Sequence, residues 1–155
     1  MKLLLPDIFL LLLAALIMGY DLYKGKTNLT TPAPFHMAWI GLSTIFALLL
    51  LLPHDKTTLY PGGYLVTGTA LLFKQVFILS ALFTVLLSRP YFTKGGNQRG
   101  MLKYRSEFFF IILLCTFGMF TVVSATDLLS LFIGMELATI PLYVLSGFYK
   151  DDDLS

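Results

Sequence analysis

The sequence predicts an all-α integral membrane protein of about five transmembrane helices with its N-terminus outside. Three observations carry this. Hydrophobic residues make up 57% of the 155 and charged residues only 13%, with a mean hydropathy of +0.80, far from the balance of a soluble domain. Five apolar runs, 3–20, 35–52, 64–88, 108–124 and 128–148, are each long enough for a helical span. Basic residues fall unevenly between them. With alternating helices, Lys24, Lys26, Arg89, Lys94, Arg99, Lys103, Arg105 and Lys150 share one side, leaving Lys2 and Lys56 on the other and Lys74 inside a span. The positive-inside rule puts the eight in the cytoplasm.

The first run follows Lys2 and resembles a signal-peptide core, but Pro6 and Asp7 interrupt its start and no small-x-small cleavage site follows Gly19. Asp7 reads as an interfacial residue in the first helical turn, beside a proline suited to a helix start. The second run is flanked by His36 and His54, about 27 Å apart along a helix, too far to ligate one haem from that helix alone. Between runs three and four, 89–107 reads as a basic cytoplasmic loop, with Gly95, Gly96 and Gly100 among polar residues. Run four holds the single cysteine, Cys115, so no disulfide can form within the chain and no thiolate cluster can be built. The turn SATD then leads into run five, where Asp127 is placed to cap the helix by accepting from its free N–H groups. Connections this short leave no room for a large extramembrane domain, so the 155 residues form a single membrane domain. No phosphate loop, nucleophile elbow or metal motif is present, and the net charge of +2 is no sign of nucleic-acid binding.

Two ionisable residues lie deep in apolar runs: Lys74 in ALLFKQVFILSAL and Glu136 in LFIGMELATIPLY. A charge at a helix centre costs about 2.5 to 3.5 kcal/mol on insertion scales, so each is a functional-site candidate by default. Counted from Asp127, Glu136 is about 14 Å in; counted from Tyr64, Lys74 is about 15 Å in. On the helix face of Glu136 stand Thr139 and Tyr143, hydroxyls able to order water or pass a proton. Pro141 lacks the N–H that would bond the Leu137 carbonyl, which suits a helix kink beside the acid. Gly134 and Ala138 form a small-x-x-x-small pattern for close helix approach. Two readings stand: Lys74 and Glu136 exchange protons, or they are a structural ion pair in a non-transporting scaffold. Lys74 is the only cation inside a span, so it is expected to lie nearer Glu136 than any other ionisable side chain.

The run SATDLLSLFIGMELATIPLYVLSGF resembles the fourth-to-fifth helix region of the N subunit of NADH-quinone oxidoreductase, respiratory complex I, where SANDLL leads to F-x-G-x-E-L-x-S-x-P-L-Y-x-L-x-G. Thr126 stands where that pattern has Asn, and Thr139 where it has Ser. LLPDIFLLLLAAL and LFKQVFILSALFTVLLS are similar to the first and third spans. The resemblance implies the first part of an antiporter-like bundle in the bacterial cytoplasmic membrane, in contact with lipid and other membrane subunits, and with quinone only indirectly. It implies a proton-translocating role in which the family's fifth-helix glutamate falls on Glu136 and pairs with a lysine on a later helix. No cofactor is expected in this chain; NADH, quinone, FMN and iron–sulfur clusters belong to other subunits. Family members continue for about fourteen spans, so a fragment ending after the fifth is expected, inactive alone. Antiporter-like subunits of a cation/proton antiporter or a membrane-bound hydrogenase resemble the same helices and remain an alternative.

Overall fold

The computed structural model describes residues 2–24, 33–53, 58–60, 63–93 and 105–147. Their order is a 3₁₀ turn at Lys2–Leu4, α1 (Leu5–Lys24), α2 (Ala33–Leu51), a hairpin of β1 (Thr58–Tyr60) and β2 (Tyr64–Val66), α3 (Gly68–Thr93), α4 (Arg105–Ser124) and α5 (Leu128–Ser146). Four helices contain stretches long and apolar enough to cross a membrane: Ala33–Leu51, Gly68–Pro90, Arg105–Ser124 and Leu128–Ser146; the apolar stretch of α1, Leu5–Tyr20, is shorter. The protein is an all-α membrane protein with about five helices. His54, Lys56 and most of the basic loop, with Lys94, Arg99 and Lys103, lie outside the described residues, as do Lys26 and Lys150.

Each helix offers one stripe to the others. Leu3, Leu10, Ala14 and Ile17 are buried at the head and along α1; Ala38, Leu42, Ile45 and Leu49 are buried along α2; Leu71, Ile78, Ala81 and Val85 along α3. These spacings of three, four and seven keep one face inward. α4 is central: it packs on α1, α2, α3 and α5, and ten of its residues are buried, from Arg105 to Ser124. Cys115 is among them, lining a cavity of about 230 Å³ with Phe77, Met119 and Leu142.

The third span differs from its sequence reading. Residues 64–66 are strand, and α3 begins at Gly68, because the Thr67 hydroxyl accepts from the Ala70 N–H at 3.1 Å and caps the helix there. The hairpin pairs Thr58 with Val66 and Tyr60 with Tyr64, and Gly63, just before β2, has φ +74°. That left-handed conformation suits glycine, and a Cβ there would collide with the Asp127 carboxylate. Gly63 also accepts from the Thr126 N–H at 2.9 Å, while Tyr64 bridges Ala125. The starts of α1 and α3, the hairpin after α2 and the α4–α5 turn therefore meet at one end of the bundle. The helices alternate in direction, and Lys24, Arg89 and Arg105 come at the opposite end.

α5 packs chiefly on α4. The approach is close because glycines line it: a Cβ on Gly118 would meet the Ala138 backbone and lie 2.6 Å from the Leu137 carbonyl carbon, and one on Gly134 would lie 2.9 Å from the Val122 nitrogen. In lipid, where apolar contact gives no net drive between helices, such backbone proximity supplies the packing. Gly118→Ala should therefore push α4 and α5 apart and cost about 1 to 3 kcal/mol. Gly19→Ala, whose Cβ meets nothing within 4 Å, should cost none. Thermal unfolding of the two variants in detergent measures the difference.

Candidate functional site

The innermost charge of the bundle is Lys74, with no exposed surface. It sits six residues into α3, about 9 Å from the helix start. It occupies the gap in the buried stripe between Leu71 and Ile78, so helix geometry turns it inward. Its Nζ donates to both oxygens of the Asp7 carboxylate, at 2.8 and 3.0 Å, and to the Tyr64 hydroxyl at 3.0 Å. Tyr64 in turn donates to Asp7 Oδ1 at 2.8 Å. The ammonium also lies 5.0 Å from the ring centre of Tyr64 and 5.2 Å from that of Phe120, both within cation–π range. All three of its donors are thus used.

Two sequence expectations are corrected here. Lys74 pairs with Asp7, not Glu136, and Asp7 is a buried partner, 5% exposed, instead of an interfacial residue. The reason is shared depth. α1 and α3 start at the same end, and Asp7 and Lys74 each stand within the first two turns of an inward stripe. Glu136 is nine residues along α5, on a helix that packs chiefly on α4.

Tyr64, the first residue of the third apolar run, closes the cluster from β2. Burial, and then the neighbouring Asp7 charge, push its phenol well above the ordinary value, so the hydroxyl stays protonated. The Ser124 hydroxyl, also buried, is near enough to influence that phenol.

The second constellation is the free face of α5. Gly134 and Pro141 are the buried residues of this helix and face α4, and the Leu137 carbonyl carbon lies against Gly118. Glu136 is on the opposite face and exposed, with Phe132, Ile140 and Tyr143 exposed around it. Among the described residues its carboxylate has no ion-pair partner. Thr139 is half-buried and donates to the Met135 carbonyl at 2.9 Å, a bond to its own helix and not to the Glu136 carboxylate. Asp127 is the N-cap of α5: its Oδ1 accepts from the Ser130 N–H at 2.6 Å and its Oδ2 from the Ser130 hydroxyl at 3.1 Å. Among the described residues no cluster of three or more His, Cys, Asp or Glu is placed to hold a metal ion.

The sequence is also similar to named proteins. The chain is 31% identical to NADH-quinone oxidoreductase subunit N of Rhodobacter capsulatus, over 99% of its own length and 30% of that protein's. Subunit N of Parvibaculum lavamentivorans is 27% identical over 96% of the chain and 29% of the relative, and subunit N 2 of Rhizobium meliloti 31% over 88% and 26%. The chain is a relative of NADH-quinone oxidoreductase subunit N. It spans less than a third of the length of these relatives. No protein-family model matches it.

In this subunit N relative the buried cluster and the capped helix give separate tests. Lys74→Met alone leaves Asp7 buried without its cation and should destabilise by about 3 to 5 kcal/mol, whereas Asp7→Leu with Lys74→Met should recover most of that loss. Unfolding in mixed detergent, followed by helical circular dichroism, separates single from double variant. At Asp127, the Ser130 backbone N–H holds the carboxyl below the usual carboxylate range. A folded value lower than the unfolded one means the cap contributes above the unfolded value and is lost as pH falls through the folded value. The protection factor of the Ser130 amide, its exchange rate relative to that of an unstructured amide at the same pH, should therefore fall on acidification, and in Asp127→Ala it should be low and no longer respond to acid through the cap.

Proposed function

We propose that this chain is a proton-translocating part of a NADH-quinone oxidoreductase, with Glu136 as its intramembrane proton carrier. One observation carries the reading: an apolar membrane helix presents a carboxylate at its middle on the face its own bundle leaves open. Insertion of that charge costs about 2.5 to 3.5 kcal/mol, and packing against α4 gains nothing from it, since Gly134 and Ala138 make that contact. A residue retained at such cost on an unpacked face is suited to meet a group from outside the described residues. The names of the relatives supply the context, an oxidoreductase complex whose other subunits are the partners of this one. Moving one charge across 100 mV is worth about 2.3 kcal/mol, the same order as holding Glu136 in the membrane, so the free energy of the proton gradient is sufficient to load and unload it.

The residues divide the work by chemistry. Glu136 takes and gives the proton. Tyr143, exposed one face-turn further along, is a hydroxyl that can order water toward it. Thr139 acts through the backbone, holding the Met135 carbonyl, and Pro141 keeps the Leu137 carbonyl without an intrahelical donor beside the acid. No electron passes through this chain in the proposal; quinone reduction belongs to the complex, and the chain moves charge in response. The basic end of the bundle is proposed to face the cytoplasm and the hairpin end the opposite side, a placement the distribution of Lys and Arg supports.

In the complete complex, Glu136→Gln should lower the protons moved per electron by the whole share this subunit carries, while assembly and NADH oxidation continue. Simultaneous recording of proton uptake and NADH consumption in inverted vesicles gives the ratio. A ratio equal to that of the parent complex would sink the proposal.

A further inference from the structure

We infer that Asp7 is a second proton-exchange site, separate from Glu136, which is loaded from the hairpin end of the bundle through the Tyr64 hydroxyl. Its place in net proton movement rests on the function proposed above; its ability to exchange a proton does not.

The geometry provides each part. Asp7 and Lys74 are buried, and Tyr64 is the partly exposed member of the cluster, carried on a strand outside the spanning helices. Its oxygen accepts from Lys74 Nζ at 3.0 Å while its hydrogen points to Asp7 Oδ1 at 2.8 Å. The second lone pair on that oxygen can accept from the neighbouring Ser124 hydroxyl or from water. In loading, a hydronium ion on the hairpin side gives a proton to the Tyr64 oxygen and leaves as water, and the phenol O–H passes its own proton to Asp7. One O–H bond forms on tyrosine as another breaks, the carboxylate becomes a carboxylic acid, and the phenol is restored. No electrons are transferred. The cluster gains one positive charge, and unloading reverses every step.

A purely structural pair would resist this, since protonating the acid would strand a buried ammonium. Here the ammonium keeps other support. The faces of Tyr64 and Phe120 lie 5.0 and 5.2 Å from Nζ, and the Tyr64 oxygen still accepts from it. Among the described residues the groups facing the site are Asp7 from α1, Tyr64 from β2, and Phe120 and Ser124 from α4; Asp7 is the one anion within ion-pair distance of Lys74.

The test is infrared spectroscopy of the full chain in phospholipid bilayers containing carboxyl-labelled aspartate. The expected result is an un-ionised aspartic acid band that grows reversibly on acidification while the helical circular dichroism holds, and that Asp7→Asn removes. If that variant does not fold, Asp7→Asn with Lys74→Gln, which leaves no lone charge, serves as the blank. Tyr64→Phe should retain the band and slow its exchange with heavy water on the order of a hundredfold, the effect of losing a positioned proton donor. An Asp7 that stays ionised until the helices unfold, or exchange unchanged in Tyr64→Phe, overturns the proposal. Pumping by Glu136→Gln in the complex tests the other reading and leaves these spectra unaffected, so the two fail separately.

Discussion

A lysine placed in the core stripe of a membrane helix imposes the condition that organises one end of this bundle. An ammonium without partners in that environment is costly enough to forbid the fold, so every donor of Lys74 must be met. Asp7 meets two from α1 and Tyr64 one from the hairpin. Those two contacts fix where the first helix begins relative to the third and hold the hairpin over the end of the bundle. The hairpin in turn accepts the Thr126 N–H at Gly63 and bridges Ala125, which positions the α4–α5 turn and the Asp127 cap. A single charge thus connects α1, α3, the hairpin and the start of α5 through short polar contacts, while α3 and α2 are joined by a separate bond from the Gln75 amide to the Leu49 carbonyl at 3.3 Å.

The bundle is correspondingly two-sided. α4 is surrounded, and α5 lies against it on a narrow seam of small residues with its broad apolar face open. The glycine seam fixes the rotation of α5 about its axis, because turning it would bring larger side chains against the α4 backbone. That rotation directs Glu136 outward. The acid and the lysine, which composition alone would pair, are kept in different places by this seam.

The helices were legible because apolar run length is a strong signal in a membrane chain, and successive spans joined by short connections alternate in direction. The hairpin was less so: TLYPGGYLV carries a turn signal between two short apolar stretches, yet its second strand reads as the start of the next span. The partner of Lys74 was available in principle. Leu3, Asp7, Leu10, Ala14 and Ile17 form one stripe, and Leu71, Lys74, Ile78, Ala81 and Val85 another, so both charges point inward from helices that start at the same end. Measuring depth from Tyr64 hid this, since the strand added about 6 Å to the apparent position of Lys74. Tyr64 itself had no periodic signal, because a three-residue strand is too short to show one. The exposure of Glu136 depends on which helices flank α5, and periodicity within α5 does not encode its neighbours.

The partners in the buried pair are 67 residues apart in the chain, with Asp7 the first to be synthesised. At about 5 to 20 residues per second, roughly 3 to 13 s pass between the two. During that interval α1 must reside at the membrane with an acid that has no cation, which its place in the first helical turn, near the headgroups, makes tolerable. Arrival of α3 then supplies the cation, so the pair can form only after α1 has waited for a helix made 67 residues later.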